Sequence, residues 1–287
     1  MQPEVKAYFH EPTNTASYVI RDPRSNACAI VDPVLDFDQA SGRTSTASAE
    51  TIATYVEAHG LHCEWILETH AHADHVSAAP YLKERLGGRI GIGADITIVQ
   101  KVFGKVFNAG SEFPRDGSQF DVLFGEGATI DIGGLHGRAI HTPGHTPACM
   151  TYIFDDAAFI GDTLFMPDYG TARCDFPGGD ARQLYNSIQK IFALPPRTRL
   201  FLCHDYLPPG RTGYRWESTV AEQRAHNIQI NDAVTEDQFV EMRNKRDATL
   251  GMPALIIPSV QINMRAGRLP PPEDNGVSYI KVPVNLF

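Results

Sequence analysis

The sequence predicts one α/β domain over residues 1–287. Short apolar runs typical of buried strands alternate along the chain with segments whose apolar residues recur at helical spacing. No internal repeat or low-complexity tract interrupts this alternation. A chain of this length can bury a substantial core, so a single large domain is the simplest account of the pattern.

Apolar runs bounded by Gly, Pro or Asp are the predicted strands. The first of them ends in Asp32 and Pro33, and the second ends directly before a cluster of histidines. The predicted strands are residues 27–31, 65–67, 90–93, 137–141, 150–154, 157–160 and 199–203.

Helices are predicted where the apolar spacing changes to that of one helical face. Gly60, Gly87 and Pro195 supply the stop signals of three of them. Thr219 and Thr235 are each followed three residues later by Glu or Gln, which is the capping-box pattern of a helix start. The predicted helices run through residues 52–59, 76–86 and 184–192 and onward from Thr219 and Thr235.

Composition argues against several classes of function. No run of about 18 uncharged apolar residues occurs, so a transmembrane helix is not expected. The formal charge of −9 disfavours nucleic acid and anionic membranes as partners, because both bind clustered Lys and Arg. The first residues lack the layout of a secretory signal, so a cytoplasmic location is the default expectation. The five scattered cysteines predict buried small hydrophobes, not a disulfide framework.

The stretch ETHAHADH, Glu68–His75, contains three imidazoles and a carboxylate between His70 and His75. It follows the apolar run 65–67 and precedes the predicted helix 76–86. A surface loop rich in histidine is a poor explanation, because the cluster begins where a buried strand ends. The predicted setting is a turn between a strand and a helix.

Three more predicted strands also end near an imidazole or a carboxylate. In layered α/β folds, loops at the strand ends converge on one crevice, so we expect these side chains to meet. Imidazole and carboxylate ligands suit zinc, iron or manganese, and no cysteine belongs to the predicted set. The candidates are His70, His72, Asp74 and His75 in the cluster, His145 in PGHT, Asp162 in GD, and His204 and Asp205 after residue 203.

Four of these motifs occur in an order that resembles a known family. THAHADH, PGHT, the GD of GDTLF and the HD of CHDY resemble the HxHxDH, His, Asp, His signature of the metallo-β-lactamase fold. The resemblance covers about residues 27–206. It implies an α/β fold of four layers, the αβ/βα sandwich, with a metal site along one edge.

A narrower resemblance rests on the motif RCDF at 173–176, on HDY at 204–206 and on NMRAG at 263–267. These motifs are similar to those of persulfide dioxygenases of the ethylmalonic-encephalopathy protein type. The resemblance implies a mononuclear Fe(II) enzyme whose substrates are glutathione persulfide and O2 and whose products are sulfite and glutathione.

By motif position, the resemblance implies that His70, His145 and Asp162 bind the iron. Two imidazoles and one carboxylate on one face of Fe(II) leave three positions open for persulfide sulfur, dioxygen and water. Zinc could not supply the redox step.

Four residues of the signature have two alternative roles. His72, Asp74, His75 and His204 either hold the ligand rings through hydrogen bonds or form a second metal site bridged by Asp162, as in hydrolytic relatives. The sequence contains every residue that such a second site requires.

Asp74 and Arg173 are the predicted catalytic residues. Arg173 is the candidate for binding an anionic substrate group, since guanidinium pairs bidentately with carboxylate and glutathione carries two carboxylates. A structural salt bridge from Arg173 to Asp175 or Asp205 is the alternative.

The walls of the substrate pocket are predicted from weaker patterns. Tyr206, Asn263 and Arg265 are further candidates for substrate binding. Residues 97–121 have no clear period and are predicted to form a long loop, either a lid or a structural insertion. The C-terminal extension near 265–287 either covers the site or packs on a second subunit, which leaves a homo-oligomer open.

Two other functions remain open at this stage. One is a dinuclear zinc hydrolase of the glyoxalase II or lactonase kind, in which an activated water attacks a thioester or lactone carbonyl. The other is a binding module that has the fold and the metal without the chemistry. The expected cofactor is therefore Fe(II), with one or two zinc ions as the alternative.

Overall fold

Two six-stranded sheets pack face to face in the computed structural model, which describes residues 2–286, and helices cover both outer surfaces. In chain order, the strands are β1 (Glu4–His10), β2 (Thr15–Arg21), β3 (Ala27–Val31), β4 (Val34–Asp38), β5 (Arg43–Ser45), β6 (His62–Leu67), β7 (Val76–Ser77), β8 (Arg89–Gly93), β9 (Val122–Phe124), β10 (Thr129–Ile132), β11 (Leu135–His141), β12 (Met150–Phe154), β13 (Ala157–Phe159), β14 (Arg199–Phe201) and β15 (Glu217–Thr219). The helices are α1 (Ala47–Ala58), α2 (Ala79–Leu86), α3 (Ile96–Val106), α4 (Ala181–Phe192), α5 (Val220–His226), α6 (Glu236–Asp247) and α7 (Ile256–Asn263).

The strand order explains why the predicted ligands reach one edge. The first sheet has the order β1-β2-β3-β6-β8-β9, and the second runs from β10 to β15 in sequence order. The strands β3, β6, β8 and β9 are parallel neighbours, and β13 is parallel to β14. Because parallel strands end at the same edge of a sheet, the loops after them are brought together there.

Aromatic side chains fill the space between the two sheets. The rings of Phe159 and Phe201 stack with centroids 4.9 Å apart, and Tyr18 meets Phe159 edge to face at 5.4 Å. The indole nitrogen of Trp65 donates to the carbonyl of Asp131, which ties the first sheet to the second. Each buried aromatic ring removes a large apolar area from water, so this layer supplies much of the stabilisation of the fold.

The outer layers complete a four-layer αβ/βα sandwich and confirm the predicted fold class. Apolar side chains of α1, α2, α3 and α7 form one core with the first sheet, and those of α4, α5 and α6 form another with the second. In α4, Leu184, Ile188 and Ile191 lie on the buried face, and Asp180 caps the helix by accepting from the backbone N–H of Gln183.

All seven predicted strands are present, but two predicted segments differ from the structure. The helix predicted over 76–86 begins at Ala79, because Val76–Ser77 pairs with β4 as β7. The prediction of a loop over 97–121 is wrong for its first part, which is α3 with Ile96, Val99 and Phe103 buried. That apolar stripe has helical spacing, and it is obscured by the aromatic residues that follow it.

The two predicted capping boxes have different outcomes. At Thr235, the hydroxyl accepts from the backbone of Gln238, and the side chain of Gln238 accepts from the backbone of Thr235, so the box is complete. At Thr219, the hydroxyl accepts from the backbone of Glu222, but the Glu222 carboxylate accepts from the Ser218 hydroxyl instead. Both helices start where the sequence predicts.

The C-terminal extension packs on the outer helices. The backbone of Lys281 exchanges two hydrogen bonds with the side chain of Gln261 on α7, and its ammonium group donates to the carbonyl of Asn108 after α3. In the part of the chain that the structure describes, no helix is long and apolar enough to cross a bilayer.

Truncating the inter-sheet layer should destabilise the protein strongly. We expect Phe159→Ala to lower the free energy of unfolding by about 3–5 kcal/mol, because it removes a buried ring and leaves a cavity between the sheets. Urea unfolding followed by fluorescence measures this change. The control Ile228→Ala, at a side chain that is 63% exposed, should change stability by no more than about 0.5 kcal/mol. Equal effects of the two substitutions would contradict the assignment of the core.

Candidate metal centre

The histidine cluster forms a loop between β6 and β7 whose shape is fixed by Asp32, the residue after β3. The Asp32 carboxylate accepts from the backbone N–H of Thr69 at 2.7 Å and from its hydroxyl at 2.8 Å. It also lies 3.0 Å from Nε2 of His72. Burial alone would raise the pKa of Asp32, but His72 and the Thr69 donors lower it, so the group is ionised.

Asn263, at the end of α7, holds the same loop from the opposite side. Its amide nitrogen donates to the carbonyls of His72 and His75 at 2.9 and 2.8 Å, and its oxygen accepts from the backbone N–H of Ser77. Asn263 was predicted to bind substrate, but it does not line the cavity described below. Asn263 is buried and holds the backbone of the histidine loop through these three hydrogen bonds.

Contacts between the sheets bring a second loop, the one that carries His145, against the first. The backbone N–H of Met150 donates to the carbonyl of Thr69, and the hydroxyl of Tyr152 donates to the carbonyl of Glu68, both at 2.8 Å. Because both partners in each bond are buried, the register between the two loops is fixed.

The three predicted iron ligands converge on one point. One ligand atom each of His70, His145 and Asp162 lies within 4.8 Å of the other two. Oδ2 of Asp162 is 3.8 Å from Nε2 of His70 and 3.5 Å from Nε2 of His145. All three side chains are buried. They come from three separate strand ends, as the sequence predicts.

Hydrogen bonds on the far side of each ring fix which nitrogen faces this point. Nδ1 of His145 donates to the carbonyl of Arg173 at 2.8 Å, so its Nε2 carries a lone pair. The Thr69 hydroxyl donates to Asp32 and therefore accepts from Nδ1 of His70 at 3.0 Å. Both imidazoles are thus held as the tautomer that binds a metal through Nε2.

Burial keeps the His70 ring neutral. It lowers the pKa of His70 well below the usual range, and the neighbouring histidines, His72 first among them, lower it further. Close packing also sets the ring position, since a Cβ at Gly161 would lie 2.6 Å from the Thr69 hydroxyl. Gly161 has φ +52°, which favours glycine as well. A neutral, positioned imidazole is the form that ligates a metal.

A second set of potential ligands lies beside the first. Nε2 of His204 is 3.3 Å from Asp74 and 3.3 Å from Oδ1 of Asp162, whose other oxygen faces His70 and His145. Burial and His72 lower the pKa of His75 to about 4. For Asp74, burial would raise the pKa, but His204 and His75 hold it well below the usual range. Asp162 therefore lies between two sets of donors.

His72 is oriented differently from the other histidines. Its Nε2 lies 3.0 Å from Asp32 and 3.3 Å from Glu68, and both carboxylates are buried. Burial would lower the pKa of His72, but these two carboxylates raise it well above the usual range. Only Nδ1 of this ring lacks a hydrogen-bond partner and faces the other histidines.

Among the residues that the structure describes, five of the twelve buried side-chain atoms without hydrogen bonds lie in these two sets or on His72. An unsatisfied buried polar atom costs about 1–3 kcal/mol, so several at one place are the expected mark of an ion site. The donor set, imidazole nitrogen and carboxylate oxygen, fits a divalent transition metal. Those lacking a partner include Nε2 of His70, His75 and His204, Nδ1 of His72 and Oδ1 of Asp162.

Cys203 lies closer to the site than the sequence predicts. Its sulfur is within 4.8 Å of ligand atoms of Asp162 and His204, although the predicted set contains no cysteine. Burial raises the pKa of the Cys203 thiol well above the usual range. Because the thiolate is the form that binds metals, this side chain acts as a buried hydrophobe in the described state.

A cavity of about 370 Å³ opens onto the metal centre. Asp74, His145 and Asp162 form its inner end, so a small molecule in the cavity reaches both sets of donors. The lining residues are Pro12, Thr13, Asn14, Ala73, Asp74, His145, Asp162, Phe165, Tyr169, Thr171, Ala172, Arg173, Phe176, Tyr206, Arg243, Arg246, Leu250, Gly251, Pro253, Ala254 and Leu255.

Of the four predicted substrate-binding residues, Tyr206 and Arg173 line the cavity, whereas Asn263 and Arg265 do not. Tyr206 is present, and its ring stacks on His204 with centroids 5.6 Å apart. Arg173 is also present, but its guanidinium donates two hydrogen bonds to Asp175 and one to the carbonyl of Gly251, each 2.6 Å long. Arg265 is outside the lining, with its guanidinium 4.1 Å from the ring centroid of Phe113.

The roof of the cavity comes from a segment that sequence reasoning missed. Leu250–Leu255, between α6 and α7, supplies five lining residues, whereas among the described residues neither 97–121 nor the extension from 265 supplies any. Gly251 and Pro253 signal a loop there, but a loop signal does not tell which surface the loop covers. The sequence marks Asp32 only as the end of a strand and gives no signal that it fixes the histidine loop.

A four-layer sandwich with imidazoles and carboxylates gathered at one edge, beside a cavity, defines a metal-dependent enzyme. The family model of the metallo-beta-lactamase superfamily matches residues 10–204, and the chain belongs to this superfamily.

Comparisons with known proteins give relatives of several kinds. The chain is 59% identical to a probable metallo-hydrolase of Burkholderia pseudomallei, with 99% of each chain covered. It is 51% identical to glyoxylase B2 of Dictyostelium discoideum, over 95% of this chain and 94% of the relative. It is 30% identical to the mitochondrial persulfide dioxygenase ETHE1 of Mus musculus, over 93% of this chain and 90% of the relative.

Among solved structures, ETHE1 from Myxococcus xanthus is similar to this chain with a TM-score of 0.73 and 26% identity. The match covers 92% of this chain and all of the other. Because the match covers 92% of this chain, the shared architecture extends past the family match, which ends at residue 204.

The hydrogen bond from His70 to Thr69 should matter for metal affinity. We expect Thr69→Val to weaken metal binding about 10- to 100-fold, because the valine cannot accept the Nδ1 proton and the ring loses its orientation. Competition with a chromophoric chelator measures the affinity. Thr69→Ser, which retains the hydroxyl, should bind metal nearly as the wild type does. Equal affinity of the valine variant and the wild type would refute the role of this bond.

Proposed function

We propose that the protein is a persulfide dioxygenase that oxidises glutathione persulfide at a single Fe(II) ion. The balanced reaction takes glutathione persulfide, dioxygen and water to glutathione, sulfite and two protons. The observation that carries the proposal is the group of two imidazoles and one carboxylate, His70, His145 and Asp162, of which His145 and Asp162 line a cavity. This ligand set is typical of non-haem Fe(II) oxygenases.

Two further observations support this reading. Persulfide dioxygenases align with the chain over 93% of its length, and a solved ETHE1 structure has the same fold. Fe(II) held by the three ligands would supply one-electron chemistry and open coordination positions for both reactants.

The residues around the ligands have defined tasks in this proposal. Arg173 positions His145 through its backbone carbonyl, which accepts from Nδ1 of that ring. Asp74 stays ionised at the cavity wall, where its carboxylate lies 3.3 Å from Nε2 of His204. The rings of Phe165 and Tyr206 line the cavity and meet edge to face with centroids 5.4 Å apart, so they give its wall an apolar surface.

A dinuclear hydrolase is the second candidate, and one observation favours it. In the second set, Asp74 lies 3.5 Å from Nδ1 of His75 and 3.3 Å from Nε2 of His204, and Asp162 offers one oxygen to each set. Two zinc ions there would activate water for attack on a thioester carbonyl. The 51% identity to a protein named glyoxylase B2 supports this candidate as well.

Oxygen uptake separates the two candidates. We expect iron-loaded protein to consume one O2 for each glutathione persulfide and to form sulfite, measured with an oxygen electrode and a sulfite assay. Zinc-loaded protein should show no uptake, since zinc has no accessible redox state. Fast hydrolysis of a glutathione thioester by zinc-loaded protein, with about two zinc ions per chain and no uptake by the iron form, would overturn the proposal.

Removing one ligand tests the assignment of the metal centre. We expect His145→Ala to lose iron binding and turnover together, because the remaining imidazole and carboxylate hold the ion too weakly. Iron content by elemental analysis and oxygen uptake are measured on the same preparation. His136→Ala is the matched control, since that side chain is 84% exposed on a strand of the second sheet. Retained iron without activity would mean that a different trio binds the metal.

A further inference from the structure

The cavity contains three arginines, and two of them are already neutralised. Arg243 is buried and pairs with Asp247, with Nη2 2.6 Å from the carboxylate. Arg173 pairs with Asp175, again at 2.6 Å. A guanidinium whose donors are committed to a carboxylate offers little charge to a substrate, because the two partners already satisfy each other.

Arg246, one turn after Arg243 on α6, differs from both. It is exposed and lines the cavity, and within residues 2–286 its guanidinium has no ion pair and no hydrogen bond. Its one recorded contact is with the ring of Tyr169, whose centroid lies 6.0 Å away. Arg246 is therefore the cavity arginine whose five donors remain available to a ligand.

An aromatic wall connects Arg246 with the metal centre. The ring of Tyr169 stacks on Tyr206 at 4.8 Å, and Tyr206 in turn stacks on His204 at 5.6 Å. Flat amide groups of a peptide pack well on such a wall. A ligand that extends along it has one end at the metal ligands and the other beside an unpaired guanidinium.

We infer that Arg246 binds a carboxylate of the substrate and so selects a peptidic thiol with a free carboxylate. This inference rests on the proposed function, since it assigns the anionic end of the substrate used in that reaction. It gives Arg246 the role for which Arg173 was the sequence candidate. In a chain of formal charge −9, one unpaired cation at the cavity also favours an anionic ligand over a neutral one.

Binding of glutathione itself tests the inference without turnover. Calorimetry on the metal-loaded full chain should show that Arg246→Gln weakens glutathione binding about 10- to 100-fold, the usual range for losing a charge-assisted hydrogen bond. Lys245→Gln is the control, because Lys245 is the exposed neighbour on the same helix and does not line the cavity. It should bind glutathione as the wild type does.

The diethyl ester of glutathione identifies the contact. Both of its carboxylates are blocked, so the wild type and Arg246→Gln should bind it equally weakly. With glutathione persulfide as substrate, Arg246→Gln should raise KM and leave kcat within about twofold, because the residue lies away from the ligands.

Three results would overturn the inference: unchanged glutathione binding by Arg246→Gln, an equal loss for the ester, or no glutathione binding by the wild type. Failure of the proposed function looks different. If the wild type consumes no oxygen but Arg246→Gln still weakens glutathione binding, the carboxylate site is supported and the dioxygenase function is refuted. If oxygen uptake is brisk but Arg246→Gln behaves as the wild type, only the carboxylate site falls.

Discussion

The buried carboxylate of Asp32 is the group on which the geometry of the metal centre depends. A buried charge is tolerated when hydrogen bonds and an opposite charge satisfy it, and Asp32 receives donors from Thr69 and an ion pair from His72. Because the Thr69 hydroxyl donates its proton to Asp32, its oxygen accepts from Nδ1 of His70 and so orients that ring. One carboxylate thus sets the backbone of the loop, the tautomer of a ligand and the orientation of a second ring.

The other half of the centre is positioned by the contact between the sheets. Tyr152 and Met150 on β12 donate to carbonyls of the histidine loop, which extends β6 of the first sheet. The site therefore exists only when the two sheets are packed. The geometry at the metal centre therefore depends on the aromatic packing between the sheets. Looser packing there would increase the distances between the ligands of the two loops.

Much of this arrangement could be predicted from local patterns. Strand ends are visible in sequence, and the ligands His70, His145 and Asp162 each follow one, so their convergence was predictable from the layered fold. The contacts of the predicted substrate-binding residues could not be predicted in this way. Asn263 contacts loop residues that are at least 186 positions away in the chain. Whether its amide faces a ligand or a backbone depends on how α7 packs, and the periodicity of apolar residues does not contain that information.

The roof of the cavity was unpredictable for a related reason. Residues 97–121 contain aromatic side chains that suggested a lid, yet Phe103, Phe107 and Phe113 pack into the outer core against the first sheet. The segment that covers the cavity, 250–255, is apolar but short, and its Gly251 and Pro253 signal only a turn. The surface on which an aromatic stripe packs depends on how the layers are assembled, and the local sequence does not specify that surface.

The two sets of donors differ in how far the protein orders them in advance. In the first set, both rings are anchored through their far nitrogens at 2.8 and 3.0 Å. In the second, Nδ1 of His204 lies 3.1 Å from the carbonyl of Asn14, but Nδ1 of His75 has partners only at 3.4 and 3.5 Å, and Asp74 is the most exposed member at 24%. Ordering the ligands therefore costs less free energy when an ion binds at the first set than when it binds at the second. This difference in order supports the proposal that a single ion is bound at the first set.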